Sequence, residues 1–309
     1  MALFTRLWVC FIVLLSPAQL VAQTNDEVIK KANAALGLMS FTMVPDVTTS
    51  NLSIGKGDGE SSDLLLSQVG GGATMSKEVP VYLEGNLSFS RYDPTFVISK
   101  GDKTSVIPLK WNSVSVSGGV GWDFPIAENW VLRPIANIAL GTVMSDITVA
   151  GWVIEEELGI DLDFLDGGRL DAFGYGGSLM LDYELFSKAQ DIDAELRYSY
   201  IRLESFGSTP DGIKGQANAE NLSLYLRRRA PTGVEWLQRP LRYVMEGAHT
   251  QFFGEQRGAL GFKYLSSVGL GLELDSSAYT KIISRTRLVA RYMFSSNTEG
   301  YSVGLAMSF

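Results

Sequence analysis

Several features on which many soluble enzymes depend are missing from this sequence. It contains 1 cysteine and 1 histidine in 309 residues. It has no zinc-ligand spacing, no P-loop and no dinucleotide-binding glycine fingerprint, so it predicts no metal site, no cofactor and no catalysis. The formal net charge is −8, and an acidic surface argues against nucleic-acid binding.

Long hydrophobic runs are also missing from most of the chain. After residue 22, no apolar run approaches the ~20 residues that a membrane-spanning helix needs. Hydrophobic residues nevertheless make up 46% of the sequence. They are dispersed by alternation with polar and small residues, and this pattern is typical of strands with two different faces.

The N-terminus carries the one compact apolar run. Arg6 precedes a run from Leu7 to Leu15, and small residues follow up to Ala22. We therefore expect residues 1–22 to be a secretory signal peptide that directs Sec-type export and is cleaved near Ala22. Cys10 lies inside this run, so we expect a mature chain without disulfides.

A short helix is predicted next, over residues 23–38. Thr24 and Glu27 have the spacing of a capping box, and Gly37 is predicted to end the helix. The predicted apolar stripe consists of Val28, Ile29, Ala32, Ala35 and Leu36.

Alternation is clearest at the C-terminus. The apolar residues Tyr301, Val303, Leu305, Met307 and Phe309 are separated by Ser302, Gly304, Ala306 and Ser308. A soluble protein gains nothing from ending on an exposed apolar edge strand, because such an edge invites aggregation. In a membrane β-barrel this strand pairs with the first strand and the edge disappears.

The fold class that follows is all-β membrane: a closed antiparallel transmembrane β-barrel of about 12 strands over residues 39–309, with the short N-terminal helix in the pore. The predicted strands lie near 40–54, 62–75, 78–92, 104–123, 129–146, 171–186, 191–205, 217–229, 240–253, 259–275, 280–294 and 299–309. Pro80, Pro108 and Pro134 fall inside them, so each is expected at a bulge or a strand end.

The predicted connections fit a barrel with short periplasmic turns and longer outer loops. Segments 124–128 and 187–190 are short inner turns, and 93–103, 147–170 and 206–216 are outer loops. Segment 230–239 is predicted to be an unusually long inner turn.

Charged residues recur on the strand faces opposite the apolar ones, so we expect them to line the lumen. They form either a paired network that rigidifies the barrel or a pathway for ions and solutes. The predicted lumen-lining charges are Glu84, Arg133, Asp182, Glu184, Asp193, Glu195, Arg197, Arg227, Lys263, Glu273, Arg285, Arg287 and Arg291.

Three other features are candidates for a site. His249 would be catalytic only with a nearby serine or acid, and its own strand offers no serine. The acidic stretch Trp152–Asp171 is either a solvated outer loop or a surface site for a ligand or divalent cation. Arg227-Arg228-Arg229 is expected to anchor the periplasmic rim by snorkelling.

The order of helix, about twelve strands and terminal Phe309 resembles the translocator domain of autotransporters, the type V secretion proteins of Gram-negative bacteria. Thr24–Leu36 matches the family's pore helix and Gly300–Phe309 its last strand. No passenger fits between the signal peptide and the helix, so the resemblance is to a solitary form. Some family members cleave themselves at an asparagine in the pore helix, and Asn33 has a comparable place.

The resemblance implies a monomeric protein of the Gram-negative outer membrane with a narrow or helix-plugged pore and no chemistry. Its implied partners are outer-membrane lipids, periplasmic chaperones and the barrel-assembly machinery, which would read the C-terminal strand. The alternatives are a porin-like channel for small solutes, a surface adhesin or receptor acting through loop 147–170, and a lipid-modifying enzyme using His249.

Overall fold

The computed structural model describes residues 33, 35–37, 39–43, 52–54, 63–93, 95–100, 103–108, 111–145, 169–206, 215–257, 262–276, 285–296 and 298–308. Within these residues nearly all regular structure is β-strand. No helix in the described part of the chain is long and apolar enough to cross a membrane.

Most of the strands have ten or more residues, and they follow one another along the chain. The first eight are β1 (Leu52–Ile54), β2 (Asp63–Thr74), β3 (Val81–Asp93), β4 (Thr95–Lys100), β5 (Lys103–Pro108), β6 (Trp111–Trp122), β7 (Phe124–Ala127) and β8 (Trp130–Ser145). The others are β9 (Arg169–Phe186), β10 (Asp191–Phe206), β11 (Gln216–Trp236), β12 (Arg239–Phe253), β13 (Tyr264–Asp275), β14 (Arg285–Phe294) and β15 (Glu299–Ser308). A 3₁₀ turn, Gly254–Gln256, follows β12.

Thirteen strands form one antiparallel sheet, in the order β6-β3-β2-β1-β15-β14-β13-β12-β11-β10-β9-β8-β7, and β6 also pairs with β8. β7 continues β6 past Asp123, so counting the two as one interrupted span leaves twelve, in agreement with the predicted number. β1 pairs with β15 through Ser53 opposite Tyr301 and Ile54 opposite Gly300. β4 and β5 form a separate two-stranded sheet.

The large sheet has one exposed and one buried face. In β6, Ser115 and Ser117 are buried whereas Val114 and Val116 are exposed. The buried face is concave, because residues of distant strands meet on it: Glu84 in β3 contacts Arg197 in β10, although β6, β8 and β9 lie between them. The exposed face is therefore convex.

The convex face is apolar over most of the sheet. Val69 is 78% exposed, Leu270 67% and Leu305 61%. Other exposed side chains of this face are Leu87, Val120, Ile138, Leu179, Leu224, Leu288 and Val303. Such a surface is unfavourable in water, because removing apolar area from water gains ~25 cal/mol of free energy per Å².

The two ends of the sheet differ in their connections. At the short-turn end the chain turns at residues 75–80, 128–129, 187–190 and 237–238, and the longer segment 276–284 joins β13 to β14. At the long-loop end, residues 146–168, 207–215 and 254–263 join the strands, and the shorter segment 295–298 joins β14 to β15. The predicted turn 187–190 is confirmed, and Ser187 and Gln190 are joined across it by a backbone hydrogen bond.

Several predicted elements are wrong in extent. Of the predicted turn 124–128, residues 124–127 form β7, and the chain turns at Glu128 and Asn129. Ser40–Met43 are not part of a strand, and the first described strand is β1, residues 52–54. The predicted strand 104–123 is two strands, because β5 pairs with β4 and β6 pairs with β3 and β8. Residues 230–239 are not a long turn, since β11 and β12 continue to a two-residue turn at Leu237 and Gln238.

The three prolines lie where a strand can do without a donor. Pro80 precedes β3 and Pro108 ends β5. Pro134 lies inside β8, between the residues that pair with β7 and those that pair with β6, which begin at Ile135. A missing N–H is harmless at that break in the ladder.

Candidate functional site

The first described segment of the chain packs on the concave face. We call residues 33, 35–37 and 39–43 the N-terminal segment. Asn33, 35–37, Met39 and Ser40 are helical, so Gly37 does not end the helix as predicted. Leu36, Met39 and Met43 are fully buried and share one apolar cluster with residues of β6, β8, β9, β10 and β11.

Phe41 anchors the opposite side of the segment. Its ring centroid lies 4.7 Å from that of Phe252 and 6.0 Å from that of Phe262. Leu66 of β2 and Met293 of β14 belong to the same cluster. The segment therefore contacts concave-face residues all around the sheet, and the contacts lie mainly in the half towards the long-loop end.

Polar contacts fix the direction of the segment. Asn33 Oδ1 accepts a hydrogen bond of 2.9 Å from the Gln216 backbone N–H, at the long-loop end of β11. The Thr42 hydroxyl lies 2.9 Å from the Ser115 hydroxyl, and Asn86 Nδ2 donates to the Thr42 carbonyl at 2.7 Å. The segment thus runs from the long-loop end towards the middle of the sheet.

Gly141 makes room for the segment. A Cβ at Gly141 would overlap the Met39 sulfur and lie 3.0 Å from the Ser115 Cβ. Gly141→Val is expected to lower stability by ~1–3 kcal/mol, the usual cost of overpacking, and to lower the melting temperature. The control is Gly71→Val, because a Cβ at Gly71 has no neighbour within 4 Å. Equal melting temperatures for the two variants would contradict this packing.

Charged groups fill the concave face towards the short-turn end. Arg197 of β10 donates two hydrogen bonds to the Glu84 carboxylate of β3, at 2.8 and 2.7 Å. Asn137 Nδ2 of β8 donates to the same carboxylate at 2.6 Å. The pair is bidentate and buried, with side-chain exposures of 5% for Arg197 and 1% for Glu84.

A second group surrounds Arg133 of β8. Its guanidinium contacts Asp123 and lies 3.1 Å from the Asp182 carboxylate of β9. The Tyr82 ring of β3 lies beneath it, 4.1 Å from the guanidinium carbon. Thr74 Oγ1 donates to Asp123 at 2.6 Å, which connects β2 to the group.

The third group joins β10 to β14. Asp191 contacts Arg242 at 2.7 Å and Arg285 at 3.3 Å. Asp193 contacts Arg227 and Arg229, and Glu273 contacts Arg287 at 3.0 Å and Arg229 at 3.4 Å. A fourth pair lies nearer the middle: Arg291 donates to Glu246 at 2.7 Å, and Glu246 also accepts from the Tyr225 hydroxyl.

Two of the predicted lumen-lining charges do not share this buried environment. Glu184 is exposed, and Lys263 is exposed and precedes β13. Glu195 is half-buried beside Asp182 and Tyr225 in the strand register. The role of the whole set as a lumen lining stays a prediction.

Four further charged residues of these groups were not predicted from the sequence, namely Asp123, Asp191, Glu246 and Arg242. Arg229 was predicted as a rim anchor, which is wrong. Arg229 is 4% exposed and paired with carboxylates on the concave face. A signal for it existed, because strict alternation places Arg229 on the same face as Arg227. Arg228, between them, is exposed as a snorkelling residue would be.

His249 lies on the convex face, not in the interior. Its Nδ1 is 2.9 Å from the Ser266 hydroxyl of β13, directly opposite in the register. The Tyr264 ring centroid is 5.6 Å from that of His249. The described residues provide no carboxylate partner for this pair, so its geometry indicates a satisfied polar contact on an apolar surface.

Other predicted sites are only partly within the described residues. Tyr301, Val303 and Leu305 are exposed on the convex face of β15. Phe309 and most of the acidic stretch Trp152–Asp171 lie outside the described residues, as does the Met307 side chain. In the described part of the chain, no three His, Cys, Asp or Glu residues are placed to hold a metal ion.

Comparisons with known proteins give structural similarity only. The β domain of the Bordetella autotransporter BrkA is 14% identical over 84% of this chain and 96% of its own, with a TM-score of 0.44. The transport unit of AIDA-I from Escherichia coli is 12% identical over 90% and 99% of the two chains, with a TM-score of 0.46. The translocator domain of NalP from Neisseria meningitidis is 12% identical over 95% and 100%, with a TM-score of 0.40.

All three are domains or units of autotransporters. No protein-family model matches the sequence. No curated protein matches it either.

Proposed function

We propose that this protein is an integral β-barrel of the Gram-negative outer membrane whose interior is filled by its own N-terminal segment. The main support is the distribution of side chains, in which apolar residues are exposed on the convex face and ion pairs are buried on the concave face. A soluble protein has the opposite arrangement, whereas lipid is a natural cover for an apolar outer face.

Barrel closure depends on the junction of β1 with β15. The lipid core offers no hydrogen-bond partners to an open edge, so the two strands must pair along their length. Two residue pairs join them among the described residues, which supports closure. The C-terminal strand, which would interact with the assembly machinery, therefore has a second role as the closing strand.

The role that fits a filled interior is that of an autotransporter-like barrel without catalysis. A porin-like channel is not favoured, because the N-terminal segment and the ion pairs occupy the concave face. The adhesin hypothesis depends on loop 147–170, most of which lies outside the described residues. The proposed units are a signal peptide over 1–22, the interior segment up to residue 43 and the barrel beyond it, in a monomer exported through Sec.

A disulfide test follows from the contact of Thr42 with Ser115. Their hydroxyl oxygens are 2.9 Å apart, so two sulfurs in their place can reach the ~2.05 Å of a disulfide by small rotations. In Thr42→Cys/Ser115→Cys, oxidised outer-membrane fractions are expected to contain an internally crosslinked chain, detected by its gel mobility before and after reduction.

The matched control is Thr42→Cys/Val114→Cys, since Val114 is on the convex face and should not crosslink. Absence of the protein from the outer-membrane fraction would contradict the location. Failure of the first pair to crosslink, or equal crosslinking of both pairs, would contradict a segment that fills the interior.

A further inference from the structure

The concave face is divided into three layers along the strands. At the short-turn end, inward residues are charged, as in Asp191, Asp193 and Arg197 of β10. Small hydroxyl and amide side chains follow, including Ser199 of the same strand and Ser115 and Ser117 of β6. Towards the long-loop end the inward residues become apolar, as in Ile201 and Leu203.

The apolar layer is closed by the N-terminal segment. Leu36, Met39 and Met43 have exposures of 0, 0 and 1%. Leu203 and Ile201, on the wall opposite, are also fully buried. The segment contacts residues of β2, β3 and β6 as well as residues of strands from β8 to β14, so it fills the cross-section at this level rather than lining one wall.

The charged layer is closed without any help from the segment. Four steps of strand pairing separate β3 from β10, roughly 19 Å along the wall at the usual strand spacing. The Glu84–Arg197 pair nevertheless spans the interior directly. Asp191 of β10 meets Arg285 of β14 in the same way, at 3.3 Å, across β11, β12 and β13.

Most of these charges are buried, so water does not reach them through a channel; the Arg285 side chain, at the short-turn end of β14, is 38% exposed. The side chains of Glu273 and Glu84 are each 1% exposed, and the side chain of Arg229 is 5% exposed. Moving a charged group out of water costs several kcal/mol, so charged groups are buried only when they are paired and hydrogen-bonded. The ion pairs therefore block the passage of water and ions without the N-terminal segment.

We propose that the barrel is sealed by two independent barriers in series, the N-terminal segment in the half at the long-loop end and the ion-pair layer in the half at the short-turn end. The hydroxyl layer lies between them and is reached by solvent from neither side. This inference rests on the proposed membrane location. Because resistances in series add, opening one barrier leaves the other in control, so removal of the segment alone does not open the pore.

Cysteine labelling of the middle layer tests the proposal in the full chain. Ser117 is 7% exposed, and Ser117→Cys is a small change that preserves the fold. A charged, membrane-impermeant maleimide is applied to whole cells and to opened outer-membrane vesicles. Neither treatment is expected to label Ser117→Cys, whereas the exposed turn variant Ser76→Cys is expected to react in opened vesicles.

Each barrier is then opened by a matched pair of substitutions in the Ser117→Cys background. Leu36→Asp/Met39→Asp places carboxylates among apolar side chains and should expel the segment, which permits labelling from the cell exterior. Glu84→Ser/Arg197→Ser removes one acid and one base and leaves no unpaired charge, which permits labelling only in opened vesicles. In planar bilayers, each pair alone should give no conductance steps, and the combination should give steps.

The outcomes separate this inference from the proposed function. A Ser117→Cys chain missing from the outer-membrane fraction would overturn both. A chain that is present there but labelled at position 117 would overturn the two barriers and leave the barrel intact. Conductance steps after segment expulsion alone would show a single barrier, and silence of the folded combined variant would show that another part of the chain seals the pore.

Discussion

Glu273→Ala is expected to lower the free energy of unfolding by about 3–5 kcal/mol, the cost of breaking a buried ion pair from one side. The Glu273 side chain is 1% exposed and lies within 4 Å of four arginines, Arg229, Arg242, Arg285 and Arg287. Removing this carboxylate leaves excess positive charge in the interior. Urea unfolding in lipid vesicles measures the loss.

The control for this prediction is Glu299→Ala. Glu299 is exposed near the long-loop end and accepts a hydrogen bond from Tyr292, so its loss is expected to cost less than ~1 kcal/mol. Glu273→Ala/Arg287→Ala should recover part of the stability, because it removes one of the unbalanced arginines. If Glu273→Ala and Glu299→Ala unfold at the same urea concentration, the interior is not a closed ionic layer.

Leu270→Arg is expected to destabilise the folded state in lipid by ~2–4 kcal/mol, the cost of arginine at the middle of a barrel's lipid face. Leu270 is 67% exposed near the centre of β13, with Met245 and Ala290 opposite it. In a soluble protein the same change would add a charge to an exposed surface and cost little. Vesicle unfolding and the yield of folded protein both report the effect.

Met75→Arg provides the comparison for depth. Met75 is 63% exposed, like Leu270, but it lies in the turn between β2 and β3, where arginine is expected to cost ~0–1 kcal/mol. Equal and small effects at both positions would mean that the convex face is not in contact with lipid.

Alternation predicted most strands because a half-buried strand needs a period of two. It did not predict the strands correctly where alternation is absent or where one apolar pattern continues across two strands. In β11, Pro231 to Trp236 do not alternate cleanly between apolar and polar residues and are exposed. The end of this hairpin was therefore predicted to be a turn. In the predicted strand 104–123, one apolar pattern covers two strands with different partners, and single-sequence periodicity does not identify partners.

Alternation predicted on which face of the sheet most of the charged residues lie, but it did not predict which of them form ion pairs. Glu84 and Arg197 are 113 residues apart in the sequence, and their contact depends on how far the sheet curls. The position of the N-terminal segment in the interior could not be predicted either, because residues Ser40–Met43 alternate in polarity as the residues of a strand do. The packing of Phe41 against Phe252 and Phe262 and the contact of Thr42 with Ser115 show that these residues belong to the interior.

Gel mobility with and without boiling shows whether the chain forms a closed barrel in lipid. The protein is refolded into lipid vesicles and run in cold detergent. Unboiled protein is expected to migrate differently from boiled protein and to resist trypsin, because a closed barrel leaves no unpaired edge. Identical mobility before and after boiling, with cleavage throughout the chain, would contradict a closed barrel.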